Sequence, residues 1–360
     1  MNLLKITKRD NLNRKNEYII RTLAILLSFV CAGVILIIFG LNPLEIFKSI
    51  FEGAIGTELR IKQTIIKAVP LIITSLGILV AFKMKFWNIG GEGQIVIGAM
   101  AATFVALNFS NLPKPVLLLT MAVVAMIAGG FWAFVPAIFK ARMGTNETIF
   151  TLMMNYIAIK FVTYLQYGPW MDPNANGFPR VAPFGENAIL PSFFGVHIGW
   201  VIALICIGVI FFLMKYTKLG YEITVVGESI ETARYAGMNI NKVIVVAMLI
   251  SGGLCGLVGM IQASAIEKTL VAGISGGYGF TAIITAWLAR LNPITTFFVC
   301  IAFAMLIQGG AYIQLAMNVP SAVSSVVQGT ILFFVLGSEF FIQYKVGFTR
   351  KLGKTTKEVA

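Results

Sequence analysis

Ten apolar stretches punctuate the 360-residue chain, at about 19–40, 66–82, 89–107, 115–139, 147–167, 197–214, 243–265, 277–289, 293–316 and 321–342. A bilayer's hydrocarbon is about 30 Å thick, and a helix needs about 20 apolar residues to cross it. No water is available there for open backbone groups, so runs of this length must close their hydrogen bonds internally, as helices. Composition agrees: 58% of residues are hydrophobic and 12% charged, about half the charge of an ordinary soluble domain. The expected fold is an all-α polytopic membrane protein, a single transmembrane domain over residues 1–360 with about ten helices.

The net charge of +13 does not point to nucleic acid, because the basic residues fall between apolar runs and not on one soluble face. Their distribution gives orientation instead. With the N-terminus inside and the spans alternating, 20 of the 28 lysines and arginines lie on the cytoplasmic side, as the positive-inside bias requires. Both termini are then cytoplasmic, as a basic segment 1–18 and a basic tail 343–360. The proline-rich loop 168–196 faces outside and the polar segment 215–242 faces inside. The run from Ile19 lacks a small-residue cleavage site and reads as a retained first span. A multi-pass location in a cytoplasmic membrane follows.

Two spans open on glycine clusters, Gly90-Gly91-Glu92-Gly93 and, 186 residues on, Gly276-Gly277-Tyr278-Gly279. Pro115 and Pro293 start the spans that follow, and Gly129-Gly130 and Gly309-Gly310 come later in the same order. Five spans per half give the halves opposite orientation. Inverted repeats with helices broken at matching places belong to transport proteins.

Ionisable residues inside such spans are costly and mark pathways or buried networks. Glu92, flanked by Asn88 and Gln94, is the first candidate, as a pathway group or as a structural carboxylate at a helix start. Trp87 and Asn155 join it as substrate-pathway candidates. Lys160 lies within the fifth span and is expected to snorkel outward, with a role toward the substrate as the alternative. Asn146 reads as a helix cap, and Gly252-x-x-x-Gly256 as a close helix contact. His197 is a lone interfacial histidine, and the four cysteines read as packing residues. No nucleophile–base pair and no metal spacing occurs, and Gly353-Lys354-Thr355 lacks the first glycine of a phosphate loop, with Phe348 in its place. The chain is expected to be no enzyme and to hold no cofactor. Any ATP and Mg belong to a partner. The alternatives are an ion-coupled secondary transporter and, more remotely, a membrane-embedded enzyme.

Phe86-Trp87-Asn88-Ile89-Gly90-Gly91-Glu92-Gly93-Gln94 resembles the F-N-I-G-x-E-G-Q stretch of nucleoside-type ABC permeases, in the group that also serves simple sugars and branched-chain amino acids. Leu219-Gly220-Tyr221-Glu222, Val226-Gly227-Glu228-Ser229 and Ala233-Arg234-Tyr235-Ala236-Gly237-Met238-Asn239 resemble that group's cytoplasmic coupling segment, with Ser229 where Asn is usual. Gly144-Thr145-Asn146-Glu147-Thr148 to Met154-Asn155-Tyr156 resembles the opening of its next span. The resemblance implies the permease subunit of a bacterial importer for nucleosides, or for ribose-like sugars. It implies a second related permease, a cytoplasmic ATPase of two tandem domains, and a substrate-binding lipoprotein or periplasmic protein. Gly220, Tyr221, Glu222, Gly227, Glu228, Ala233, Arg234, Tyr235 and Gly237 would then form the ATPase-coupling surface.

Overall fold

A computed structural model describes residues 4–8, 14–175 and 177–348. Parts of the basic segment 1–18, and the tail 343–360 from residue 349 on, with Gly353-Lys354-Thr355, lie outside them. In chain order the elements are β1 (Leu4–Lys8), α1 (Arg14–Ile38), α2 (Pro43–Ile55), α3 (Glu58–Lys83), α4 (Gly91–Asn108), α5 (Lys114–Met143) and α6 (Glu147–Tyr167). Then come β2 (Ser192–Phe193), β3 (Val196–His197), α7 (Gly199–Tyr216), α8 (Lys218–Glu228), α9 (Ile230–Tyr235) and α10 (Ile240–Ile261), which runs on into a π-helical turn, Gln262–Glu267. The chain ends with α11 (Tyr278–Leu288), α12 (Pro293–Ala316), α13 (Ser321–Gln343) and β4 (Tyr344–Phe348).

Eight helices among the described residues are long and apolar enough to cross a membrane. All ten expected intervals fall on helices, but the two opened by glycines are not among these eight. Helix α4 has 18 residues and carries Glu92 and Gln94 in its first turns. Helix α11 has only 11 residues, about 16 Å of rise, and cannot cross hydrocarbon alone. Sequence reading missed α2, a 13-residue helix too short to span, and α8. It also missed the strand pairs β1–β4 and β2–β3, which lie at or beyond the ends of the apolar runs.

The chain divides into two compact units, residues 1–49 with 310–360 and residues 50–309. In the first, α1 packs on α13 and β1 pairs antiparallel with β4, Leu4 opposite Phe348. Phe29 meets Phe47 edge to face at 5.1 Å.

In the second unit, α4 and α10 form the centre, with α3 and α5 against them. Small residues permit this. A Cβ at Gly98 of α4 would run into the backbone of Gly256 on α10, and one at Gly256 into Ala125 of α5. Three backbones meet there, as the Gly252-x-x-x-Gly256 spacing indicated. Helix packing in lipid rests on such contacts, because hydrocarbon offers no apolar driving force.

Candidate functional site

The link from Met84 to Gly90 joins α3 to α4 and carries the first motif. Asn88 turns it: its Oδ1 accepts from Gly90 N–H (3.0 Å) and from the Gln94 amide (3.1 Å), and its own amide donates to Gln94 Oε1 (3.2 Å) and Ser251 Oγ (3.1 Å). Asn155 of α6 accepts from Gly93 N–H at 2.8 Å and donates to the Ile89 carbonyl at 2.9 Å. Thr151 accepts from Ile89 N–H. The bonds to the backbone of Ile89, Gly90 and Gly93 satisfy groups that a broken helix leaves open.

The second glycine cluster meets the first here. Glu92 Oε1 accepts from the N–H groups of Gly279 (2.7 Å) and Phe280 (3.2 Å). It caps the first turn of α11 while lying in the first turn of α4. Two helix N-termini converge on one carboxyl group, whose oxygen satisfies open N–H groups of the second. A Cβ at Gly279 would run into the backbone of Gly91 and Glu92, so glycine is what lets the two helix starts touch. Asn88, Glu92, Gln94 and Asn155 are all buried, Glu92 with 3% of its surface exposed. Their hydrogen-bonding capacity is turned inward.

Trp87 differs. It is 42% exposed, stacks on Trp287 of α11 at 5.5 Å and 21°, and touches Phe82 at 5.2 Å. Among the sequence-derived pathway candidates it is the one with an open face. Trp287 joins this cluster across 200 residues, and no signal in the sequence marked it.

The coupling-type segment forms α8 and α9. Thr217 caps α8 by accepting from Gly220 N–H, and Ser229 caps α9 by accepting from Thr232 N–H, a role its Ser can fill in place of Asn. Gly237 stops α9 at φ +73°, in the left-handed region glycine favours. The nine residues divide by burial. Gly220, Gly227 and Ala233 are buried and hold the segment, while Glu222 is half-buried near Lys218 at 3.7 Å. Tyr221, Glu228, Arg234, Tyr235 and Gly237 are exposed, Tyr235 at 97%.

Gly227 lies against the carbonyl of Lys83 and the backbone of Met84, where a Cβ would collide. Lys85 donates to the Glu228 carbonyl at 3.5 Å. So α8 bears directly on the link that carries Trp87 and Asn88. A cleft of about 410 Å³ lies between them, lined by Met84, Phe86, Lys140, Glu147, Glu228 and Glu231. Lys140 pairs with Glu147 at 2.7 Å on its wall, and Asn146 beside them caps α6 by accepting from Thr148 and Ile149, as expected.

Loop 168–196 is stitched to the segment leading into α11. Phe184 donates to the Lys268 carbonyl, Thr269 to that of Val181, and Ser264 to that of Ala188. Asp172 meets Arg180 at 3.5 Å within the loop. His197 follows it, buried, with Nδ1 accepting from Gly199 N–H at 3.2 Å. Burial holds its pKa down to about 4. Among the described residues no group of acidic, histidine or cysteine side chains is arranged to hold a metal.

The family described as branched-chain amino acid transport system / permease component matches residues 60–336. The chain is 33% identical to the glucose ABC transporter permease protein TsgB13 of Haloferax volcanii, over 90% of this chain and 88% of that protein. It is 29% identical to the nucleoside ABC transporter permease protein NupB of Lactococcus lactis, over 90% and 92%. It is also 29% identical to the guanosine ABC transporter permease protein NupP of Bacillus subtilis, over 94% and 99%. With eight apolar helices of spanning length, this is a multi-pass protein of the cell membrane and a transport component. The chain belongs to the branched-chain amino acid transport system / permease component family.

Proposed function

We propose that the chain is the permease subunit of an ABC importer for nucleosides. The observation that carries this is end-to-end likeness to two permeases named for nucleosides and guanosine, NupB and NupP, joined to a helix break that contacts α8 directly. In this reading α8 and α9 dock on a cytoplasmic ATPase of two tandem domains, which holds the ATP and Mg. The exposed Tyr221, Glu228, Arg234 and Tyr235 supply the polar contact, and buried Gly220, Gly227 and Ala233 transmit its movement to the link 84–90. A second permease completes the path. A substrate-binding lipoprotein or periplasmic protein delivers ligand over loop 168–196. Both termini are cytoplasmic, and α4 and α11 are matching half-broken elements of an inverted repeat. ATP binding shifts the balance between two states by its differential affinity for them.

Glu92, Asn88, Gln94 and Asn155 act in this reading as the scaffold of the break, and Trp87 faces the path. A sugar substrate is the second reading, favoured by the 33% identity to the glucose permease. Uptake of radiolabelled guanosine and uridine, with and without this chain and with excess ribose as competitor, separates the two. Loss of nucleoside uptake on deletion, uncompeted by ribose, is expected. Unchanged nucleoside uptake with lost ribose uptake would move the substrate to sugars.

A further inference from the structure

Helix α6 has two unlike faces. Thr151, Met154, Asn155, Ala158, Val162 and Leu165 are buried against the rest of the unit. Tyr156, Lys160, Tyr164 and Tyr167 are exposed on the other side, Tyr156 at 58% and Tyr164 at 63%. Spacings of four, four and three residues keep these within one stripe about 80° wide. Along that stripe toward the N-terminal end, Ile149 and Met153 continue it with apolar groups.

Lys160 lies 13 residues past Glu147 and seven before Tyr167. That leaves about 10 Å of helix beyond it, more than a four-carbon stem spans. Its ammonium forms no ion pair or hydrogen bond among the described residues. A lysine at this depth, bracketed by tyrosines one turn away on either side, does not suit a lipid-facing surface. It suits water and a ligand.

We infer that the Tyr156–Lys160–Tyr164 face of α6 lines the substrate path and binds the planar heteroaromatic ring of the substrate. A tyrosine ring stacks on the base, since every base offers a π-face. The ammonium, about 6 Å along the helix, donates to a ring carbonyl or ring nitrogen. This rests on the nucleoside reading and places the ligand on the face of α6 opposite Asn155.

The test uses the complete transporter in cells, with single cysteines at Tyr156, Lys160 and Tyr164 and a charged, membrane-impermeant thiol reagent. Cys206, Cys255 and Cys300 are buried, and the unsubstituted chain sets the background. Ile205→Cys, midway along α7 on its exposed apolar face, is the lipid-facing control. Labelling is expected at all three α6 positions and not at 205, slowed several-fold by excess guanosine. Lys160→Ala and Tyr156→Ala should each raise the half-saturating guanosine concentration about tenfold, and Lys160→Arg and Tyr156→Phe should recover most of it. Silence at the three positions, as from contact with lipid or a second permease, would overturn the assignment. So would labelling indifferent to guanosine, or unchanged half-saturation in the alanine variants. Guanosine uptake missing from the unsubstituted transporter marks failure of the nucleoside reading. Uptake intact with silent cysteines marks failure of the α6 assignment alone.

Discussion

The link 84–90 and the segment 218–237 touch, yet they use polar residues in opposite ways. At the link, Asn88, Glu92, Gln94 and Asn155 bond to each other, to Ser251 or to backbone and leave little for a ligand. On α8 and α9 the backbone is capped by Thr217 and Ser229, so Glu228, Arg234 and Tyr235 remain free to face outward. The contrast follows from surroundings. A helix broken inside a membrane must satisfy its own open groups, whereas a segment at the aqueous surface can leave that to water and spend its side chains on a partner.

The sharpest way to break this contrast is to overfill the three-backbone contact of α4, α5 and α10. Gly256→Leu must push α4, α5 and α10 apart, and overpacking of this kind costs about 1–3 kcal/mol or more. Loss of folded protein from the membrane is expected by detergent-solubilised chromatography, and a normal elution profile would contradict the packing.

Next comes the scaffold itself. Glu92→Ala leaves two N–H groups of α11, the buried one of Gly279 and the part-buried one of Phe280, without their acceptor, a cost of about 1–3 kcal/mol. Glu92→Gln keeps an acceptor and loses only the charge facing two helix ends, about 0.3–2 kcal/mol. Thermal unfolding in detergent should therefore rank Ala below Gln below the native chain. Native stability in both variants, with uptake lost, would instead make Glu92 a pathway group.

A smaller effect is expected at the docking surface. Arg234→Glu changes an exposed side chain and should leave folding intact while lowering transport-linked ATP hydrolysis several-fold. Gly227→Ala, which must separate α8 from the end of α3, should lower uptake more than it lowers ATP hydrolysis. Equal losses in both would remove the contact from the coupling route.

The smallest effect concerns His197. Its folded pKa of about 4 lies below the ordinary 6.5 because of burial, and protonation at Nδ1 would break its bond from Gly199. The unfolded chain binds the proton first as pH falls, so the stability contribution is full above about 6.5 and is lost progressively toward about 4. His197→Gln should flatten that acid limb, and an unchanged limb would assign it elsewhere.

Much of this was legible in one dimension. Apolar runs located every long helix, because hydrocarbon imposes both length and hydrogen bonding. Asn146 announced a helix start by residue type, and Gly252 and Gly256 announced a close crossing. The role of Glu92 was left open between pathway and scaffold, because its partners Gly279 and Phe280 lie 187 and 188 residues away. The Trp87–Trp287 stack was hidden for the same reason. Asn155 drew attention as an amide within α6, while exposure, which sequence does not carry, distinguishes the opposite face with Tyr156 and Lys160. Helix α2 and the strand pairs escaped because a search for spans sees only spans.

The most direct test is guanosine uptake in cells that carry this chain and its binding protein but lack the ATPase subunit, with and without an ionophore that collapses the proton gradient. Uptake at background without the ATPase, and ionophore-resistant initial uptake in ATP-replete cells that retain it, are the expected results. Uptake that persists without the ATPase and disappears with the ionophore would make the chain an ion-driven transporter and contradict the docking role of α8 and α9.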